Sequence, residues 1–83
     1  MSVADQVKAL LDSVLQLRGR AQGWNENTAL LGNVPELDSM SVVGIITALE
    51  DEFEFSISDD EIDGELFATL GSLTRFVEQK LAA

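Results

Sequence analysis

Residues 37–53 read LDSMSVVGIITALEDEF, and this stretch decides the fold. An Asp-Ser pair precedes an apolar run, and the run ends in acids. Val42, Ile45, Ile46, Leu49 and Phe53 recur at the i, i+3, i+4, i+7 spacing that puts them on one face of a helix. The spacing predicts a helix over 39–53, with Asp38 or Ser39 as its N-cap. Met40, Val43 and Thr47 form a second stripe, rotated from the first. A helix in a small bundle does not readily bury both stripes, so the second is a candidate contact surface. The alternative is that Met40 and Val43 merely widen the core face.

The flanking segments supply the partners for that buried face. Residues 2–18, SVADQVKALLDSVLQLR, predict an amphipathic helix with Val3, Val7, Leu10, Leu11, Val14 and Leu17 on one side. Ser2 is its expected N-cap, with Asp5 in the first turn, and Gly19 offers a stop. Residues 19–37 carry three glycines, three asparagines and the only proline, which is loop chemistry. Trp24, Leu30, Leu31, Val34 and Leu37 are expected to pin this long loop to the core, with Trp24 packing rather than holding a ligand. Residues 54–69 mix acids with Phe55, Ile57, Ile62, Leu66 and Phe67. They predict a short helical turn within 59–68, interrupted by Gly64. Thr69 is the expected N-cap of a last helix over about 70–82, with Leu70, Leu73, Phe76, Val77 and Leu81 on one side. Little reads as strand. The expected fold is all-α: one domain over 1–83, a small four-helix bundle of three main helices plus one short helix.

Composition narrows the chemistry. The chain has 83 residues, 46 % of them hydrophobic, enough for one small core. It has no cysteine and no histidine. Thiolate metal sites, disulfides, thiol catalysis and any Ser-His-Asp arrangement are thereby excluded. The N-terminus lacks the basic segment of a secretory signal and no apolar run approaches a membrane span, so the cytoplasm is the expected location. Net charge is -10, from 15 acids and 5 bases. Between Ala21 and Thr74 there are 12 acids and no base. Such a surface repels nucleic acid and anionic lipid and attracts proteins with basic patches. Solubility alone is the plainer reading of the charge.

Two motifs carry possible chemistry. In DDEIDGELFATL, residues 59–70, Asp59, Glu61, Asp63 and Gly64 match the first half of a calcium loop. The position that must hold a bidentate glutamate is Leu70, so a solvated acidic turn is the better reading and no metal is expected. The other motif is Asp38-Ser39. A nucleophilic serine needs a base, there is no histidine, and neither lysine is near in sequence. Ser39 is therefore a poor catalyst. A hydroxyl at a helix start is nonetheless open to modification by another enzyme, and a phosphodiester there lies where backbone N–H groups favour an anion.

With these residues in view, the chain resembles the acyl and peptidyl carrier proteins. Their hallmark is an Asp-Ser-Leu or Asp-Ser-Met triplet opening the second helix of a four-helix bundle, after a long glycine- and proline-bearing loop. Here the triplet is Asp38-Ser39-Met40, preceded by NTALLGNVPEL and followed by SVVGIITALEDEF. LFATLGSLTRFVEQKL is similar to the family's last helix and the connection before it, and Ile57 stands where the family often begins its third-helix region. The likeness covers nearly the whole chain.

The resemblance implies that Ser39, flanked by Asp38, carries covalent 4'-phosphopantetheine, installed from coenzyme A by a separate Mg²⁺-dependent phosphopantetheinyl transferase. Its thiol holds an acyl, aminoacyl or peptidyl cargo as a thioester. The protein is then a carrier and not an enzyme, loaded by an acyl- or aminoacyl-ligase and visited by downstream transferases or synthases. It is expected to be a monomer, with no nucleic acid partner and no membrane insertion. Met40, Val43, Thr47, Glu50 and Asp51 are the implied docking residues. Fatty-acid carriers usually place acids two and five residues after the modified serine; here those positions are Ser41 and Gly44. The acids come late instead, at Glu50, Asp51, Glu52 and Glu54. Together with ELFATLGSL, which looks like the peptidyl-type carriers, this points to a specialised pathway such as polyketide or nonribosomal peptide assembly. The alternatives are a housekeeping fatty-acid carrier, or an unmodified acidic interaction module in which Asp38-Ser39 only caps a helix.

Overall fold

The computed structural model describes residues 2–82. Helix α1 spans Val3–Leu15, α2 Ser39–Phe53 and α3 Leu70–Ala82, with 3₁₀ turns at Arg20–Gly23 and Asp59–Glu61. The all-α bundle expected from the sequence is present. Its short fourth helix is no more than the three-residue turn at Asp59–Glu61, and Gly64 lies beyond that turn.

Helix α1 packs against both α2 and α3. It contributes Val7, Leu11 and Leu15 to the core, α2 contributes Ile45 and Leu49, and α3 contributes Leu70, Leu73 and Val77. Ser2 caps α1 as expected, its hydroxyl accepting the Asp5 N–H at 3.2 Å. The helix ends earlier than its periodicity suggests. The left-handed residue that ends it is Gln16 (φ 55°); Gly19, also at positive φ (90°), lies beyond the helix end. The Leu17 N–H then turns back to the Asp12 carbonyl at 2.9 Å. After this reversal Leu17 is buried in the core. The Asp12 carboxylate accepts the N–H groups of Gly19 and Ala21, each at 3.1 Å, and so fixes the start of the long loop.

The loop is held in a way that helical periodicity does not reveal. Ala29 and Thr69 form an isolated antiparallel bridge. Around it, Leu30 N–H donates to the Ala68 carbonyl at 3.0 Å, Leu31 N–H to Phe67 at 2.9 Å, Leu70 N–H to Thr28 at 2.9 Å and Gly71 N–H to Glu26 at 2.9 Å. The loop is thus fastened to the entry of α3. Leu30, Val34 and Leu37 fill the core as expected, and half-buried Trp24 packs against it. Leu31 does not: it is 51 % exposed, because the pairing with Phe67 turns its side chain outward. Leu81, expected on the buried side of α3, is also exposed in the last turn. Thr69 caps α3: its hydroxyl accepts the Ser72 N–H at 3.0 Å, and the Ser72 hydroxyl accepts the Thr69 N–H at 3.1 Å. No described helix is long and apolar enough to cross a membrane.

Candidate functional site at the start of the second helix

Helix α2 begins with a reciprocal cap. The Asp38 carboxylate accepts the N–H groups of Met40 at 3.1 Å and Ser41 at 2.8 Å. The Ser41 hydroxyl accepts the Asp38 N–H at 2.7 Å. Asp38 is therefore the N-cap, and Ser39 is the first helical residue. The Ser41 N–H is the main reason that the Asp38 carboxyl is held below its usual range; partial desolvation opposes it, and the Ser41 hydroxyl and Met40 N–H add to it. A carboxylate so engaged is a weak base. It orients the helix start and does not activate Ser39.

Ser39 itself is exposed. Among the described residues neither its hydroxyl nor its backbone N–H has a hydrogen-bond partner. The first turn of α2 contains no acid. A free N–H and the positive end of the helix dipole both suit an anionic substituent on this hydroxyl. The residues present therefore fit a phosphodiester at Ser39 and provide nothing that would make Ser39 catalytic. Ser41, whose hydroxyl is consumed by the cap, was not singled out as a capping residue from the sequence. Its signal is the Asp-x-x-Ser spacing, a variant of the capping box.

The second stripe of α2 faces solvent. Met40 is 83 % and Val43 65 % exposed, and Thr47 is exposed too. They do not widen the core face. Gly44 lies beside them, and a shallow depression continues along Gly44, Thr47, Ala48, Glu50 and Asp51. The last two differ. Glu50 is half-buried and its Oε2 accepts the Ile57 N–H at 2.8 Å, which ties the chain leaving α2 back to the helix. Asp51 is exposed and in no ion pair among those described.

The acidic turn is organised by a side chain of the protein itself. Lys80 donates to both Glu61 oxygens at 3.1 Å, and Glu61 also accepts the Ser58 N–H and hydroxyl, each at 2.9 Å. The Ser58 N–H first, then Lys80, lower the Glu61 pKa to about 2. Asp63 Oδ1 accepts the Leu66 N–H at 3.0 Å. Among the described residues no group of three or more acids, histidines or cysteines is arranged to hold a metal ion.

Comparison with known proteins agrees with this geometry. The family model for the phosphopantetheine attachment site matches residues 5–77. The chain is also similar to a solved holo acyl carrier protein from Nitrosomonas europaea, with 51 % identity over 100 % of both chains and a TM-score of 0.93. The chain therefore belongs to the phosphopantetheine-attachment family of acyl carrier proteins, and it is a carrier rather than an enzyme, with 4'-phosphopantetheine as its covalent prosthetic group.

Proposed function

We propose that Ser39 is the attachment point of the phosphopantetheine arm, and that the protein presents acyl or aminoacyl cargo to a succession of partner enzymes. The observation that carries this reading is the exposed, unpartnered Ser39 hydroxyl at the first position of a helix whose cap is made by Asp38 and Ser41. The arm supplies the thiol, and hence the thioester, that a chain without cysteine cannot supply itself. Ser39 Oγ bonds to the coenzyme A phosphorus next to the pantetheine, the phosphoanhydride bond breaks, and 3',5'-ADP leaves. The hydroxyl proton passes to the transferase, since Asp38 is engaged in the cap and no histidine exists.

A phosphopantetheinyl transferase, a loading ligase and downstream transferases or synthases are the partners of such a carrier. The net charge of -10 favours rapid, reversible encounter with basic surfaces, which suits a protein that must leave each partner. The acid-free first turn of α2 supports a specialised biosynthetic pathway over housekeeping fatty-acid synthesis. The protein works as a cytoplasmic monomer on this reading. The test is incubation with coenzyme A, Mg²⁺ and a broad-specificity transferase, read by intact mass. The parent gains one phosphopantetheine and Ser39→Ala gains none while keeping its helical spectrum. An unmodified parent, with a control carrier modified in the same tube, refutes the reading.

A further inference from the structure

Met40 stands beside Ser39 with its thioether in the open. It is 83 % exposed, against 65 % for Val43, 51 % for Leu31 and 45 % for Leu81. Its backbone is fixed, because the Met40 N–H donates to Asp38 Oδ1 at 3.1 Å. Its side chain belongs neither to the buried core nor to the half-buried hydrophobics packed on that core. The chain has no cysteine, so no thiol side chain competes with it for an oxidant. The other methionine, Met1, lies outside the described residues. The arm brings one further sulfur, which is absent before attachment and masked as a thioester in the loaded carrier.

We propose, on the reading that Ser39 carries the arm, that Met40 is a redox modification site: a peroxide converts its thioether to the sulfoxide, and the sulfoxide turns down acceptance of the arm at Ser39. With hydrogen peroxide the sulfur lone pair attacks one peroxide oxygen, the O–O bond breaks, and water leaves. Sulfur gives up two electrons and the peroxide takes them. Reversal takes two thiol equivalents at a methionine sulfoxide reductase: the oxygen leaves as water and a disulfide forms.

The position of Met40 makes this a change of function and not of fold. A sulfoxide in a core buries a polar group without partners and destabilises the protein. At Met40 the S–O group stays in water, so the folded state is indifferent to it. The cost arises only when a transferase reaches Ser39, one residue away, and strips water from this surface. The thioether loses little there. The sulfoxide oxygen is a strong acceptor, and the neighbouring Val43 side chain offers it no donor. A carrier with leucine in the third position of the triplet has no such sensitivity.

The experiment treats the apo carrier with hydrogen peroxide, removes the peroxide, and measures Met40 sulfoxide by peptide mapping. Transfer from coenzyme A with Mg²⁺ and a broad-specificity transferase is then timed by intact mass, with circular dichroism on the same samples. Met40 is expected to oxidise about as fast as a free methionine derivative in the same tube. The sulfoxide form is expected to lose about tenfold in kcat/KM, the scale of one well-buried contact, with an unchanged helical spectrum. The two epimer-specific methionine sulfoxide reductases with dithiothreitol restore the rate. Met40→Leu keeps its own rate, whatever that rate is, through the peroxide step, which excludes Met1 and Trp24 as the source of the loss. Met40→Gln, with a polar acceptor on a chain of similar length, is slowed without peroxide. Parent-rate transfer to the fully oxidised carrier overturns the redox site. So does a Met40 that resists peroxide, a loss of helix on oxidation, or a Met40→Leu carrier that loses as much as the parent. All of these leave the attachment site standing, whereas no transfer to the untreated parent overturns the attachment reading and the redox site with it.

Discussion

Gly44→Ala is expected to stabilise the protein, because this exposed glycine sits in the middle of a helix. Gly44 lies well inside α2, which spans Ser39–Phe53. A Cβ built there meets only Val14 Cγ1 at 3.7 Å, an ordinary van der Waals contact. Nothing in the packing therefore requires glycine. Alanine restricts the unfolded chain and favours the helix, together by about 0.8–1.0 kcal/mol. Unfolding entropy near the midpoint is about 2.1 cal/mol/K per residue. For 83 residues a gain of ~0.9 kcal/mol then raises Tm by about 5 °C. Thermal melts by far-UV circular dichroism, checked by calorimetry for a single transition, measure this directly. An unchanged or lower Tm would refute the reasoning. It would mean that the α1–α2 contact at Val14 is tighter than an added methyl tolerates.

Gly71 is the opposite case: a Cβ there meets the Glu26 carbonyl oxygen at 2.7 Å, backbone that cannot rotate away. Gly71→Ala should cost about 1–3 kcal/mol and speed hydrogen exchange at Leu70 and Gly71, whose N–H groups hold the loop. Thr74 is buried with its hydroxyl unpartnered, so the near-isosteric Thr74→Val should raise stability by about 1 kcal/mol in urea titration. Glu61 gives a pH signature. Its folded pKa is depressed from 4.5 to about 2. Its contribution is therefore fully present above pH 4.5 and is lost as pH falls toward 2. Glu61→Gln should be less stable than the parent at neutral pH, and the gap should close across that window in acid.

Helix α2 was legible residue by residue because two independent signals coincide. Asp38 supplies a cap, and Val42, Ile45, Ile46, Leu49 and Phe53 keep one helical period to the end. Helix α3 was legible for the same reason, from Thr69 and the run after it. The end of α1 was not. Its apolar period continues to Leu17, but the helix stops at Leu15, where Gln16 turns left-handed and the Leu17 N–H turns back to the Asp12 carbonyl, a contact that no local sequence signal marks. The outward Leu31 was missed because its orientation follows from pairing with Phe67, 36 residues away in the chain. At the site, Ser39 and Asp38 stood out in the sequence as a helix start and as a family triplet. The division between Glu50 and Asp51 did not, since nothing local marks Glu50 as the acceptor for Ile57.

The account turns on which hydroxyl bears the arm, and tandem mass spectrometry of the phosphopantetheinylated protein answers that most directly. Ser41 is the instructive competitor, two residues away and on the same helical turn, but its hydroxyl is held between the Asp38 N–H at 2.7 Å and the Asp38 carbonyl at 3.0 Å. The account predicts fragment ions that place the whole of the added mass on Ser39 and none on Ser41 or any other serine. Mass found on Ser41, or a Ser39→Ala protein that is still modified, would contradict it.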